Sequence, residues 1–275
     1  MKTKKKNILR LLIALVVVIG VVYVSLPYYA RQALIHWMPV IDDLETFHRH
    51  TVHHNPDDVW HWPLSADYNR YQLTEKDAHY LDSLRAVSFL VIRRDSIVFE
   101  SYRDGWNDTL TSNIYSATKT IVGLLAGIAL DEGKIHSLDD PVSRYIPAYT
   151  KGMQADVTLR HLLTMSGGMA WDEAYASLFS VTTHGYYGND LYDLVTGLEV
   201  VDRPGVQYSY RSGETQLLAF VIEAATGQTL SDYAEEKLWR PMQAEQDAYW
   251  LLDKKDGDEK AFCCFHSKHS INYKF

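Results

Sequence analysis

Asn113-Ile114-Tyr115-Ser116-Ala117-Thr118-Lys119-Thr120, followed at once by the apolar run Ile121 to Leu130, decides how the rest of this chain is read. A Ser and a Lys three apart at a helix start lie on one face, one above the other. A hydroxyl is a poor nucleophile near neutral pH. A buried lysine whose pKa has fallen can take its proton, and Ile114, Ile121 and Val122 supply apolar surroundings. Four residues also recur by chance. The plain alternative is an N-capping Ser and a solvated Lys on an ordinary amphipathic helix.

A second stretch, Pro204-Gly205-Val206-Gln207-Tyr208-Ser209-Tyr210-Arg211-Ser212-Gly213-Glu214-Thr215-Gln216-Leu217-Leu218-Ala219, weighs against that alternative. With it, the chain resembles the serine β-lactamase and penicillin-binding-protein superfamily, in its class C β-lactamase, esterase and D-aminopeptidase branch. That branch carries a Tyr-x-Asn element between a Pro-Gly turn and a Leu-Leu-Gly helix. Here Tyr210 takes the Tyr position and Ser212 the Asn position. The wording from Tyr210 to Leu218 is most similar to the 6-aminohexanoate-oligomer hydrolase group. Leu138-Asp139-Asp140-Pro141-Val142, Val157 to Thr164 and Ser166-Gly167-Gly168 agree with it. The resemblance runs over residues 67 to 262.

The resemblance implies an α+β, β-lactamase/transpeptidase-like fold, an antiparallel sheet with a helical region. It implies hydrolysis of an amide or ester through an acyl-enzyme on Ser116, with Lys119 and Tyr210 relaying the proton jointly. Ser212 is then a polar group lining the site or a plain turn residue. Tyr115 lines the pocket or packs. Trp171, Tyr186 and Tyr187 belong to a polar, Gly- and Tyr-rich insertion, Trp171 to Asp190, that covers the site; its aromatics, Trp171 as a substrate-binding residue among them, suit an apolar acyl chain or are aromatics of a surface loop without a ligand. Asp140 and His161 sit in structural phrases and are left out of catalysis. No cofactor and no metal are implied, and the partner is a small-molecule or peptide-like amide or ester.

Outward from these motifs, Thr74-Glu75-Lys76-Asp77 reads as a capping box opening a helix to about Arg85. Val87 to Arg93 and Ile97 to Arg103 read as a hairpin turning at Arg94-Asp95-Ser96. Helices are expected from Ser116 to Gly133, Leu217 to Thr226 and Leu230 to Leu238. The family's third motif, Lys-Thr-Gly or His-x-Gly, has no match after Tyr249, and Phe265 to Phe275 resembles neither helix nor strand pair. The expectation is therefore a C-terminally truncated or frame-shifted chain. Its sheet would be incomplete, its hairpin unpartnered, and the apolar face of the Ile121–Leu130 helix partly uncovered. A catalytically inactive remnant or binding domain is the alternative function.

The N-terminus carries Lys2, Lys4, Lys5, Lys6 and Arg10 ahead of an apolar run from Leu11 to Leu26. Extended to Tyr29, the run is about 28 Å long as a helix. The reading is one transmembrane helix acting as an uncleaved signal anchor, favoured over a cleaved signal by its length and poor cleavage site. The basic cluster stays inside and the body lies outside the cytoplasm, on the periplasmic or extracellular side. Residues 1–30 are then the anchor, 31–66 a connector and 67–275 the hydrolase domain.

In that connector, His48, His50, His53, His54 and His61 match no metal-ligand spacing. The five N-terminal positive charges leave −13 for the remainder of a chain of net charge −8. An acidic body argues against nucleic acid. Cys263 and Cys264 are neighbours that cannot close a useful loop, and read as buried small apolar residues.

Overall fold

The computed structural model describes residues 2–268, apart from the side chains of residues 2–5 and 8. Its first half carries α1 (Lys2–Ser25), α2 (Tyr28–His36), β1 (Arg49–Val52), α3 (Glu75–Ser83), β2 (Ser88–Ile92), β3 (Ile97–Tyr102), β4 (Thr111–Asn113) and α4 (Thr118–Asp131). Then come α5 (Leu159–Leu163), α6 (Val181–Tyr187), α7 (Leu191–Gly197), α8 (Ser212–Thr226), α9 (Leu230–Ala234), β5 (Ala248–Leu251) and β6 (Phe265–Lys268).

A four-stranded antiparallel sheet, in the order β1-β5-β6-β4, backs the helical region. Between them lies the core, where Trp250 and Phe265 of the sheet meet edge to face at 5.0 Å. α8 is the central helix, buried from Ser212 to Ile222 without a polar face, as befits a helix enclosed on all sides. It ends at Gly227, whose φ of 74° is left-handed. α4 packs on α8, and its Ile121, Val122, Leu125, Ala126 and Ala129 are buried. On its flank Leu124, Ile128 and Leu130 stay half-buried, so the uncovered apolar area is an edge and not the main face.

Residues of the expected connector enter this sheet: Arg49 to Val52 pair with Leu251 to Ala248. The capping box at Thr74 forms as read, with the Asp77 N–H donating to Thr74 Oγ1 at 3.1 Å. β2 and β3 form a separate two-stranded sheet. From outside, it is met by an isolated bridge between Leu64 and Ile97 and by the Asn69 N–H, which donates to the Val98 carbonyl at 2.9 Å.

Three expectations need correction. The stretch Leu11–Tyr29 is not one helix: α1 stops at Ser25, and α2 leaves at 119°. Pro27 is the reason, since it lacks an N–H and pushes Leu26 out of the helical region. No single helix among the described residues is long and apolar enough to cross a membrane, though the bent pair passes that test together. Phe265 to Lys268 is a strand, inserted between β5 and β4; such a short, half-polar run is specified by its neighbours and not by its own pattern. The rest of that C-terminal stretch, 269–275, lies outside the described residues. Finally, Cys263 and Cys264 are joined to each other by a disulfide, so they are more than apolar filler.

Candidate active site

β4 delivers the chain to the nucleophile turn. The Asn113 side-chain oxygen accepts the N–H groups of Tyr115 at 2.8 Å and Cys264 at 3.2 Å. Tyr115 is thereby held at φ 45°, a region bulky residues avoid unless their surroundings impose it. A 3-10 turn, Tyr115–Ala117, then leads into α4. Ser116 sits in that turn, just ahead of the α-helix it was expected to open.

Lys119 lies in the first turn of α4. Its Nζ donates to Ser116 Oγ at 3.0 Å and to the Phe262 carbonyl at 2.5 Å. It also stands 5.2 Å from the centroid of the Tyr210 ring. Burial pushes the Lys119 pKa below the ordinary lysine value, against the opposing effect of its hydrogen bonding to the Tyr210 oxygen and of the negative charge of Glu173. Ser116, Lys119 and Tyr210 thus converge, with the amine between the two hydroxyl-bearing side chains. A lysine that sheds its proton more readily can accept the Ser116 proton through the contact it now donates across.

Ser212 opens α8 and is buried. Its N–H donates to Glu173 Oε1 at 2.6 Å and its hydroxyl to Glu173 Oε2 at 3.2 Å. The same carboxylate accepts the Tyr175 hydroxyl. Glu173 therefore ties the Tyr-x-Ser element to the insertion and places a negative charge near Lys119. Sequence reasoning missed it, because nothing distinguishes one carboxylate in a polar insertion until the fold returns it to the α8 terminus.

A cavity of about 530 Å³ opens beside Ser116. Tyr115, Ser212, Tyr186, Tyr187, Phe262 and Cys263 contribute to its wall, and so does the segment from Ala33 to Pro39. Burial pushes the Tyr115 and Tyr187 hydroxyls up to about 12, with the charge of Asp43 acting in the same direction. Trp171 is not part of that wall. It is buried edge to face on Phe262 at 5.4 Å, pressed by the backbones of Gly185 and Gly213, where an added Cβ would come within 2.6 and 2.5 Å of its ring. It props the insertion from behind because the insertion folds over it.

The remaining motif residues are structural. Asp140 takes hydrogen bonds from Arg144 at 3.1 Å and Tyr145 at 2.7 Å. His161 accepts the Thr158 N–H at 3.2 Å, closing a helix cap. Four of the five connector histidines disperse onto three carboxylates: His50 to Glu259, His53 and His54 together to Asp247, and His61 to Glu245.

Comparison with known proteins gives the family. Residues 74–257, well over half of the chain, match the Beta-lactamase family. The chain is 27% identical over 177 residues to the 6-aminohexanoate-dimer hydrolase of Paenarthrobacter ureafaciens, covering 60% of this chain and 45% of that protein. Among solved structures it resembles the "Putative 6-aminohexanoate-dimer hydrolase from Bacillus anthracis", with TM-score 0.68 and 19% identity over 83% of this chain and 64% of that one. A penicillin binding protein from Bacillus halodurans superposes with TM-score 0.56 and 17% identity, over 70% and 69% of the two chains. At such identities these structures speak for the fold alone. The chain spans about half the length of the curated relatives it matches. By its matched segment and its fold, this chain belongs to the Beta-lactamase family.

Proposed function

We propose that the chain is a serine hydrolase of the 6-aminohexanoate-dimer hydrolase and penicillin-binding-protein type, cleaving an amide or ester bond. The observation that carries this reading is the 3.0 Å contact between a half-buried, pKa-lowered Lys119 and Ser116 Oγ, with Tyr210 on the far side of the amine. In the proposed reaction, Ser116 Oγ bonds to the substrate carbonyl carbon, and its proton passes to the Lys119–Tyr210 pair. The pair returns that proton to the leaving nitrogen or oxygen as the C–N or C–O bond breaks, leaving an acyl ester on Ser116. Water then adds, gives up a proton to the same pair, and releases the acid as Ser116 regains its own. The Ser116 backbone N–H, at the start of α4, is the proposed donor to the oxyanion, favoured by the helix dipole.

The N-terminal segment is proposed as a membrane anchor that holds the catalytic body outside the cytoplasm. In its support, the α1 side chains Leu11, Val16 and Val24 are 65–70% exposed, apolar surface that lipid would cover, and a basic cluster flanks them. Protease digestion of sealed vesicles tests this; cleavage of the body from the cytoplasmic face would refute it.

A second reading, a binding domain without turnover, draws on one observation: β2–β3 pairs with no strand of the main sheet among the described residues. A fluorescent phosphonate separates the two. Covalent labelling of the native chain that Ser116→Ala abolishes supports the hydrolase, and no labelling of folded protein supports the binding domain.

A further inference from the structure

We propose that the cavity beside Ser116 is an acyl-chain site for an uncharged, linear aliphatic chain, and that α2 with the residues after it is its outer wall. This deepens the hydrolase reading and rests on it for the position of the scissile carbonyl. The first observation is chemical: none of the side chains lining the cavity is charged. An ionised substrate group held there would lose its water with no counter-charge to replace it, which is prohibitive. Leu34, Met38, Leu178, Phe262 and the ring faces of Tyr186 and Tyr187 offer a chain apolar contact instead.

The second observation is topological. Ala33 to Pro39 precede the segment that matches the family, residues 74–257, yet they close the side of the cavity away from the core. This wall lies outside the matched segment and is held by α2 packing on α6, where Tyr29 stacks on His184 at 4.2 Å. The third is the orientation of the mouth. Leu34, Trp37 and Met38 line the cavity while staying 43%, 75% and 48% exposed. A substrate tail threading between them covers surface that water now touches. Ser116 and Ser212 line the same cavity, so a substrate whose carbonyl meets Ser116 Oγ can lay its tail along this apolar wall. The volume, about 530 Å³, is in the ordinary range for a small-molecule site.

The test uses the full chain and p-nitrophenyl esters from acetyl to decanoyl. Each methylene buried is worth about a fourfold gain, so kcat/KM is expected to climb by about that factor per carbon until the cavity is full. The octanoyl-to-acetyl ratio is expected to fall about tenfold or more in Leu34→Gln and Met38→Gln. A flat series in an enzyme that turns over, or a ratio unmoved by both variants, overturns the proposal while leaving the hydrolase reading intact. A second measurement is independent of turnover: Ser116→Ala protein is irradiated with a decanamide carrying a diazirine at its last carbon. Crosslinks in the peptides containing residues 33–38 and 175–187, competed by decanamide but not by acetamide, support the site. Crosslinks elsewhere, or none, overturn it whether or not Ser116 proves reactive.

Discussion

Lys119 Nζ lies 2.5 Å from the carbonyl oxygen of Phe262, a group 143 residues downstream that fixes where the amine stands relative to Ser116. The carbonyl is positioned in turn by Gln216, a fully buried residue of α8. Gln216 Oε1 accepts the Ala261 N–H at 2.7 Å, and its Nε2 donates to the Glu259 carbonyl at 2.8 Å. Gln216→Leu keeps most of the volume but removes both side-chain hydrogen bonds, leaving the Ala261 N–H and the Glu259 carbonyl only their 2.8 Å contact with each other, a loss of about 0.5–1.5 kcal/mol per bond. It is expected to lower stability and slow phosphonate labelling. Ile222→Ala, a buried change on the same helix costing about 2–5 kcal/mol, lowers stability without touching Phe262. Equal labelling rates in the two variants would show that Gln216 does not set the amine.

The Lys119 shift fixes the sign of a pH dependence. Burial lowers its pKa in the folded chain, so the neutral amine gains population at a pH below the ordinary lysine value. Labelling at Ser116 is expected to rise with pH and level off before about 10.4. Because the unfolded chain binds the extra proton between the folded and unfolded values, Lys119 also makes stability rise with pH across that window. Lys119→Arg keeps the cation and loses the base, with an expected loss of about 10²–10⁴ in labelling rate. A rate that climbs on through pH 10.4, or an Arg variant that labels normally, would remove Lys119 from the proton path.

The local signals in the sequence were strong where short-range physics decides. The Ser116–Lys119 spacing, the Thr74 capping box, the β2–β3 hairpin with Arg94 and Asp95 at positive φ, and the Gly227 stop all form where the residues place them. What was illegible depends on partners distant in sequence. β6 is a strand because β5 and β4 flank it, and β1 is one because β5 offers an edge. Glu173 meets Ser212 across 39 residues. α8 starts at Ser212 and not Leu217, because burial carries its polar first turn into the helix. The cavity wall from Ala33 to Pro39 could not be foreseen, since the bend at Pro27 that brings α2 onto α6 leaves only a single proline in the text.

The Ser166-Gly167-Gly168 phrase is held by a buried carboxylate. Glu214 accepts the N–H groups of Gly167 at 3.0 Å, Gly168 at 2.9 Å and Met169 at 3.4 Å. Gly168 has φ 80°, and a Cβ there would lie 2.1 Å from the Asp202 carbonyl oxygen. Gly168→Ala must therefore displace backbone, and Glu214→Ala strands buried donors at about 1–3 kcal/mol each. Both are expected to lower the thermal midpoint steeply. Gly133→Ala has a similar φ, 69°, but open space around it, and is expected to cost only about 1 kcal/mol of backbone strain. Comparable losses at Gly133 and Gly168 would show that positive φ, not the clash, governs the phrase.

Lys260 is an amine that the fold holds at a cost. It is fully buried, and its Nζ has no hydrogen-bond partner among the described residues. The amine lies 3.4 Å from the centroid of Phe47 and 5.4 Å from that of Tyr186. Burial lowers its pKa to about 7, with the charges of Asp253 and Asp43 pulling the other way. The Phe47 ring also favours the ammonium, but such contacts are worth about 2 kcal/mol when desolvated, less than the loss of hydration. The sign follows: between about pH 7 and the unfolded lysine value the unfolded chain holds the additional proton, so stability rises with pH, by up to ~1.4 kcal/mol per unit. Below about pH 7 the folded chain must carry a buried ammonium and the full penalty applies. Lys260→Met fills the same space without the amine. It is expected to raise the thermal midpoint, by more at pH 6 than at pH 9.5, and to flatten the rise of stability with pH. If the Met variant is instead less stable at pH 6, then the aromatic faces and Asp43 hold the ammonium better than water does, and Lys260 is a stabilising cation.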